Sequence, residues 1–120
     1  MRDIFERLMS FDTTSSNPNR DLMIYVQDLL AKAGITATLI PDASGGKANL
    51  YASVGPAGQG GVMLSGHTDV VPVDGQPWDT DPFKVEIVGD KMFGRGVTDM
   101  KSFGATCLMM VPELLKRKLK

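Results

Sequence analysis

Ile4, Leu8 and Phe11 recur at helical spacing at the start of the chain, and the spacing predicts a short amphipathic helix. The polar run from Thr13 to Asn19, with Pro18 in it, interrupts that pattern. Asn19 then stands where a side chain can cap a second helix, whose Leu22, Tyr25, Val26, Leu29, Leu30 and Ala33 keep to one face. Gly34 closes it at the position where left-handed backbone is cheap. Ile35 to Ile40 is apolar and β-branched, with threonines at alternate places, and predicts a strand. Pro41 and the Ser44-Gly45-Gly46 loop end it, and Asn49 to Val54 predicts the next strand.

Gly55 to Gly61 is a turn rich in glycine and proline. After it, Val62-Met63-Leu64 predicts a short buried strand that delivers His67 at its C-terminal end. Prolines at 72, 77 and 82 predict a loop, while Lys84 to Val88 and Lys91 to Phe93, separated by Gly89-Asp90, predict a hairpin. Met100 to Lys120 is helical in pattern, and Pro112 should kink that helix or begin a new one. No internal repeat or low-complexity segment is present, and the alternation of helices and strands predicts an α/β layer structure.

Composition narrows the function classes. A chain of 120 residues is of single-domain size, and 42% hydrophobic with 22% charged residues is ordinary for a soluble globular protein. A net charge of −1 gives no electrostatic argument for a nucleic acid or membrane partner. Cys107 is the only cysteine, which excludes an intrachain disulfide and fits a reducing compartment. Charged residues crowd the N-terminus where a secretory signal would be apolar, and no run approaches the roughly 18 apolar residues of a membrane span. The expectation is a cytoplasmic protein. Lys116-Arg117-Lys118-Leu119-Lys120 reads as the solvated, dipole-complementing end of a helix.

Candidate chemistry gathers around the only histidine, His67, in the run Leu64-Ser65-Gly66-His67-Thr68-Asp69. In an extended segment, residues two apart project to one side, so Asp69 can accept an imidazole N–H and leave the other ring nitrogen as a metal ligand. Alternatively, Asp69 caps the turn before Pro72. About thirty residues on, Gly94-Arg95-Gly96-Val97-Thr98-Asp99-Met100-Lys101 offers a second carboxylate. Spacing alone favours Asp99 as an N-cap of the final helix, a role compatible with metal ligation because a carboxylate has two oxygens. Arg95 and Lys101 read as solvated surface. Trp78 and the Asp79 to Phe83 loop could line an entrance or serve as a packed aromatic anchor.

The strings SGHTDVVPVDGQPWDTDPF and GRGVTDMK, together with FDTTSSNPN and KANLYASVGP, closely resemble the acetylornithine deacetylase and succinyl-diaminopimelate desuccinylase family of zinc metallopeptidases. The resemblance runs through nearly the whole chain. It implies the N-terminal portion of a three-layer, zinc-aminopeptidase-like α/β catalytic domain, with a mixed sheet between helices, occupying residues 1–120. It also implies a metal-dependent amide hydrolase, with deacylation of N-acetylornithine in arginine biosynthesis favoured over desuccinylation or dipeptide cleavage. His67 then matches a zinc ligand, Asp69 the carboxylate that orients it, and Asp99 the carboxylate bridging two zinc ions, for which cobalt can substitute. A cis peptide is implied between Asp99 and Met100. The implied partner is a small N-acyl amino acid, and the implied assembly a homodimer.

The same resemblance exposes what the chain does not supply. The family's general base is one of two adjacent glutamates, and this sequence has no Glu-Glu pair; Glu113, its only acid after Asp99, has no matching partner and is not assigned. The remaining zinc ligands and the smaller lid and dimerisation domain would lie beyond Lys120. The expectations are therefore a chain inactive by itself, weak zinc affinity, and apolar surface left open on an incomplete sheet. A noncatalytic binding module built on the same half-fold is the alternative from another class.

Overall fold

The computed structural model describes residues 2–58, 60–117 and 119. Helix α1 spans Arg2–Met9 and α2 spans Arg20–Lys32. Strands β1 (Ala37–Pro41) and β2 (Ala48–Ala52) follow, then β3 (Glu86–Val88), β4 (Lys91–Phe93) and helix α3 (Ser102–Lys116).

Helix α2 begins at Asn19 as expected, but the asparagine side chain does not cap it. Its amide instead reads both polar groups of Ala48, donating to the carbonyl at 3.1 Å and accepting from the N–H at 2.9 Å. The side chain thus ties α2 to β2, and the helix's first donors are left without that cap. At the other end the expected glycine termination holds. Gly34 has φ +79°, its N–H reaches Ala31 O at 2.9 Å, and the N–H of Ile35 reaches Leu30 O at 2.9 Å. Those two bonds form the paired closure in which a left-handed residue lets the last carbonyls find partners.

β1 and β2 pair antiparallel, with Ala37 opposite Ala52 and Leu39 opposite Leu50. Ala37 and Ala48 are buried while Thr38, Ile40, Asn49 and Tyr51 are exposed, the alternation of a hairpin covered on one face. β3 and β4 form the expected second hairpin, turned by Gly89 at φ +63°. Among the described residues no sheet has more than two strands, and the isolated parallel bridge is Thr14 to Val70.

Two apolar clusters hold these pieces together. Leu8, Leu22 and Ala105 join α1, α2 and α3 at one end, with Phe11 and Tyr25 packed against them. At the other end Leu30, Ile35, Ala37 and Val111 seat the β1–β2 hairpin against α2 and α3. The predicted apolar face of α2 therefore serves both clusters. The Cα radius of gyration is 15.5 Å, against about 13.6 Å for a compact domain of this length, so the core is small for the chain.

Two expectations are corrected. Val62-Met63-Leu64 is not a buried strand: Val62 is 88% and Met63 79% exposed, in backbone without ladder pairing. An apolar run becomes a buried strand only when neighbouring strands satisfy its backbone groups, and none does so among the described residues. Of the two outcomes expected at Pro112, a new helix does not begin there: the final helix runs through it to Lys116 as one element, with Arg117 extended beyond it. Pro112 itself is exposed, and its missing N–H removes one bond from the helix ladder without ending the helix. Of the basic tail, Lys118 and Lys120 lie outside the described residues. No helix among the described residues is long and apolar enough to cross a membrane.

Candidate functional site

His67 follows the exposed 62–64 segment, and its position is set from the N-terminal polar run rather than from a sheet. Ser15 N–H donates to Val70 O and Val70 N–H donates to Thr13 O, each at 3.0 Å, which forms the parallel bridge. Buried Thr13 adds a hydroxyl bond to Thr68 O, and Asn19 Nδ2 reaches Thr68 Oγ1 at 3.2 Å. The backbone on either side of Asp69 is thereby held to the loop between α1 and α2. Along the sequence, Thr13 to Asn19 reads as a helix breaker, a cap at Asn19 and part of the family-like string FDTTSSNPN, with no partner indicated for its hydroxyls. Its hydroxyl-rich composition was the sign that it pairs with something, though not with what.

Asp99 arrives on a wide turn, Val97–Lys101, that precedes α3. Gly96, at φ +85°, opens this turn, and Lys101 N–H closes it on Gly96 O at 3.0 Å. Asp99 (φ −124°, ψ 101°) and Met100 (φ −138°, ψ 32°) are not helical, and the peptide between them is cis, as the resemblance implied. Lys101 takes the cap position of α3 with no side-chain cap bond there, so Asp99 is not the N-cap that spacing favoured. Its carboxylate turns instead to the histidine.

The three sequence-derived residues meet around one imidazole. Nδ1 of His67 lies 3.0 Å from the backbone carbonyl of Asp69 and 3.2 Å from Asp69 Oδ1, and Nε2 lies 3.0 Å from Asp99 Oδ1. Asp69 also accepts from Ser15 Oγ at 2.9 Å through its other oxygen. Ser15 is a member of the site that sequence reasoning missed. Oxygens that only accept stand on both sides of the ring, so both nitrogens must present something positive to them. The Asp69 carbonyl raises the His67 pKa above 6.5 most, burial opposes it, and the Asp99 carboxylate adds to the rise. The Ser15 hydroxyl, foremost, and His67 hold the Asp69 carboxyl below the usual carboxylate range against slight burial.

The donor set suits a zinc-like cation: an imidazole nitrogen and a carboxylate oxygen with the far nitrogen already hydrogen-bonded. Two ligands each about 2.1 Å from a tetrahedral ion sit about 3.4 Å apart. The observed 3.0 Å between Nε2 and Oδ1 is short of that by a few tenths of an ångström. Among the described residues no group of three or more His, Cys, Asp or Glu side chains is placed to hold a metal ion together, so the pair could supply only part of a coordination sphere.

The two cations expected on the surface are not there. Lys101 is 3% exposed and donates to Phe11 O at 2.7 Å and Leu8 O at 3.2 Å, and burial lowers its pKa to about 8. Arg95 is half-buried, its guanidinium 5.2 Å from the centre of the Trp78 ring and bonded to Gln76 Oε1. Trp78 Nε1 donates to the same oxygen at 3.2 Å, so the ring is tied to Gln76 within its own loop. Both departures have one cause: long basic side chains bury their stems when backbone carbonyls or aromatic faces receive the head.

Residues 63–120 match the model of peptidase family M20/M25/M40. Acetylornithine deacetylase of Pasteurella multocida is 38% identical over 108 residues, covering 89% of this chain and 28% of the relative. Acetylornithine deacetylase of Buchnera aphidicola from Acyrthosiphon pisum is 29% identical over 123 residues, covering 98% of this chain and 32% of the relative. The chain thus spans about a third or less of the length of the curated relatives it matches.

Proposed function

Because the chain is a partial member of peptidase family M20/M25/M40, we propose that residues 1–120 form the N-terminal part of a metal-dependent amide hydrolase. The reaction proposed for the whole enzyme is N2-acetyl-L-ornithine plus water to L-ornithine and acetate. The choice of acetyl over succinyl substrates follows the names of the relatives. A three-layer catalytic domain, two zinc ions per subunit and a homodimer complete the reading.

One observation carries it. Nε2 of the only histidine faces the Asp99 carboxylate at 3.0 Å while Nδ1 is held from behind by Asp69. His67 and Asp99 would hold the metal, and Asp69 would keep the Nδ1–H tautomer that leaves Nε2 free to bind. A bound zinc pair would lower the pKa of a shared water and polarise the amide carbonyl. Ser15 orients Asp69 and so acts one bond further out. Glu113 is bonded to Lys116 at 2.7 Å on an exposed helix face, and no general base is assigned to it.

The half-site makes a direct test possible. The purified chain, incubated with zinc and N2-acetyl-L-ornithine, is expected to release no ornithine above the buffer blank. In a zinc titration followed by NMR, the His67 ring signals should shift with weak, saturable affinity, and Asp99→Ala should abolish the shift. Turnover at enzyme-like rates, or tight zinc binding indifferent to His67→Ala, would overturn the assignment.

A further inference from the structure

His67 and Asp99 belong to segments thirty residues apart, and the structure holds both from one short stretch of the N-terminus. Thr13 and Ser15 bind the backbone of Val70, Thr13 also binds Thr68 O, and Ser15 binds the Asp69 carboxylate. Leu8 and Phe11, a few residues earlier, receive the ammonium of Lys101 on their carbonyls. The Asp99 side chain itself is exposed and meets His67. Its placement therefore depends on how the turn that carries it is fastened.

Lys101 provides that fastening. Leu8 O is one of the last carbonyls of α1, which lack helical partners and carry the negative end of its dipole, and Phe11 O lies two residues past the helix, so a buried ammonium is satisfied there on two of its three protons. Without such acceptors a buried ammonium would be strongly unfavourable, which means the side chain specifies where the turn can sit. Gly96 brings the far end of the same turn against Val70 and the Lys101 stem: a Cβ at Gly96 would lie 2.9 Å from Val70 Cγ1 and 3.3 Å from Lys101 Cδ. The carrier turn of Asp99 and the strand-like carrier of His67 are thus in contact with each other as well as with residues 8–15.

We propose that Lys101 is a positioning residue. By fastening the Val97–Lys101 turn to the Leu8 and Phe11 carbonyls, it holds the Asp99 carboxylate at Nε2 of His67, with residues 8–15 as the common frame for both partners. Its consequence for metal binding rests on the reading of His67 and Asp99 as a ligand pair; the placement itself does not.

The test uses the full chain, whose single histidine gives one set of imidazole NMR signals. Lys101→Met keeps the apolar stem and removes the donors, Lys101→Arg keeps charged donors, and Leu22→Ala removes core volume without touching the pair. At fixed pH, Lys101→Met should move the His67 Nε2 signal toward its position in Asp99→Ala, Lys101→Arg should restore it, and Leu22→Ala should leave it in place. Zinc affinity should fall about tenfold in Lys101→Met and recover in Lys101→Arg. If Lys101→Met does not fold, Lys101→Gln, which keeps a buried donor but draws it back, is expected to move the signal the same way. A wild-type His67 spectrum in the folded Lys101 variants, or an equal displacement in Leu22→Ala, would overturn the proposal. A wild-type chain that binds no zinc would sink the metal reading alone, since the spectra still decide where Lys101 puts Asp99.

Discussion

Gly96→Ala tests whether the turn that carries Asp99 is held by close packing as well as by its backbone. The glycine has φ +85°, and an added Cβ would lie 2.9 Å from Cγ1 of Val70 and 3.3 Å from Cδ of Lys101. Neither neighbour can yield readily: Val70 is buried and bonded through both backbone groups to Thr13 and Ser15, and the Lys101 head is fixed on two carbonyls. Gly34→Ala is the internal control, because Gly34 has φ +79° and nothing within 4 Å of its Cβ position. Left-handed backbone costs an alanine about 1–2 kcal/mol at either site. The entropy removed from the unfolded chain returns about 0.4–1 kcal/mol in both and cancels in the comparison. Overpacking adds about 1–3 kcal/mol at Gly96 only. With a urea slope of about 1.5 kcal/mol/M, an excess of about 2 kcal/mol lowers the Gly96→Ala midpoint by about 1.3 M relative to Gly34→Ala, read by far-ultraviolet circular dichroism. Adding Val70→Ala should recover part of that excess, with a coupling of at least about 0.5 kcal/mol. Equal midpoints for the two glycine variants would refute the packing argument.

Three further outcomes are expected. Leu22→Ala, at a fully buried position between the three helices, should destabilise the chain by about 2–5 kcal/mol, and a urea midpoint within error of wild type would contradict the core assignment. For Asp12, partial burial works to raise the pKa, but the Thr14 N–H and hydroxyl and the Asn17 amide outweigh it and hold it below the ordinary 3.8. A depressed folded pKa means stability that is present above the unfolded value and lost as pH falls through the folded one, so the deficit of Asp12→Asn should be full near pH 6 and shrink below pH 4 in acid titrations followed by circular dichroism. Val62, Met63 and Leu64 are open to solvent, so Val62→Thr with Met63→Gln should reduce self-association in sedimentation velocity without lowering the urea midpoint; unchanged association would place the sticky surface elsewhere.

The sequence by itself determined what is local. Helical spacing located α1 and α2, and Gly34 marked the end of α2 because only the backbone at that residue is at issue. Gly89-Asp90 marked the second hairpin for the same reason. His67, Asp69 and Asp99 could be picked out because their motifs are contiguous strings, and the same strings led to the family. Tertiary structure decided every choice that depended on a distant partner. Spacing alone favours Asp99 as a helix cap, but the wide turn Val97–Lys101 puts its carboxylate at the imidazole instead. Asn19 had a cap to make but finds both backbone groups of Ala48, 29 residues away. Lys101 looked solvated because a charged side chain is exposed by default, and carbonyls some 90 residues earlier reverse that default. Val62 to Leu64 reads as buried because its composition is apolar, yet burial needs neighbouring strands, and among the described residues no ladder forms on it. In each case the side chain carries the capacity for an interaction, while only the assembled chain supplies the group that completes it.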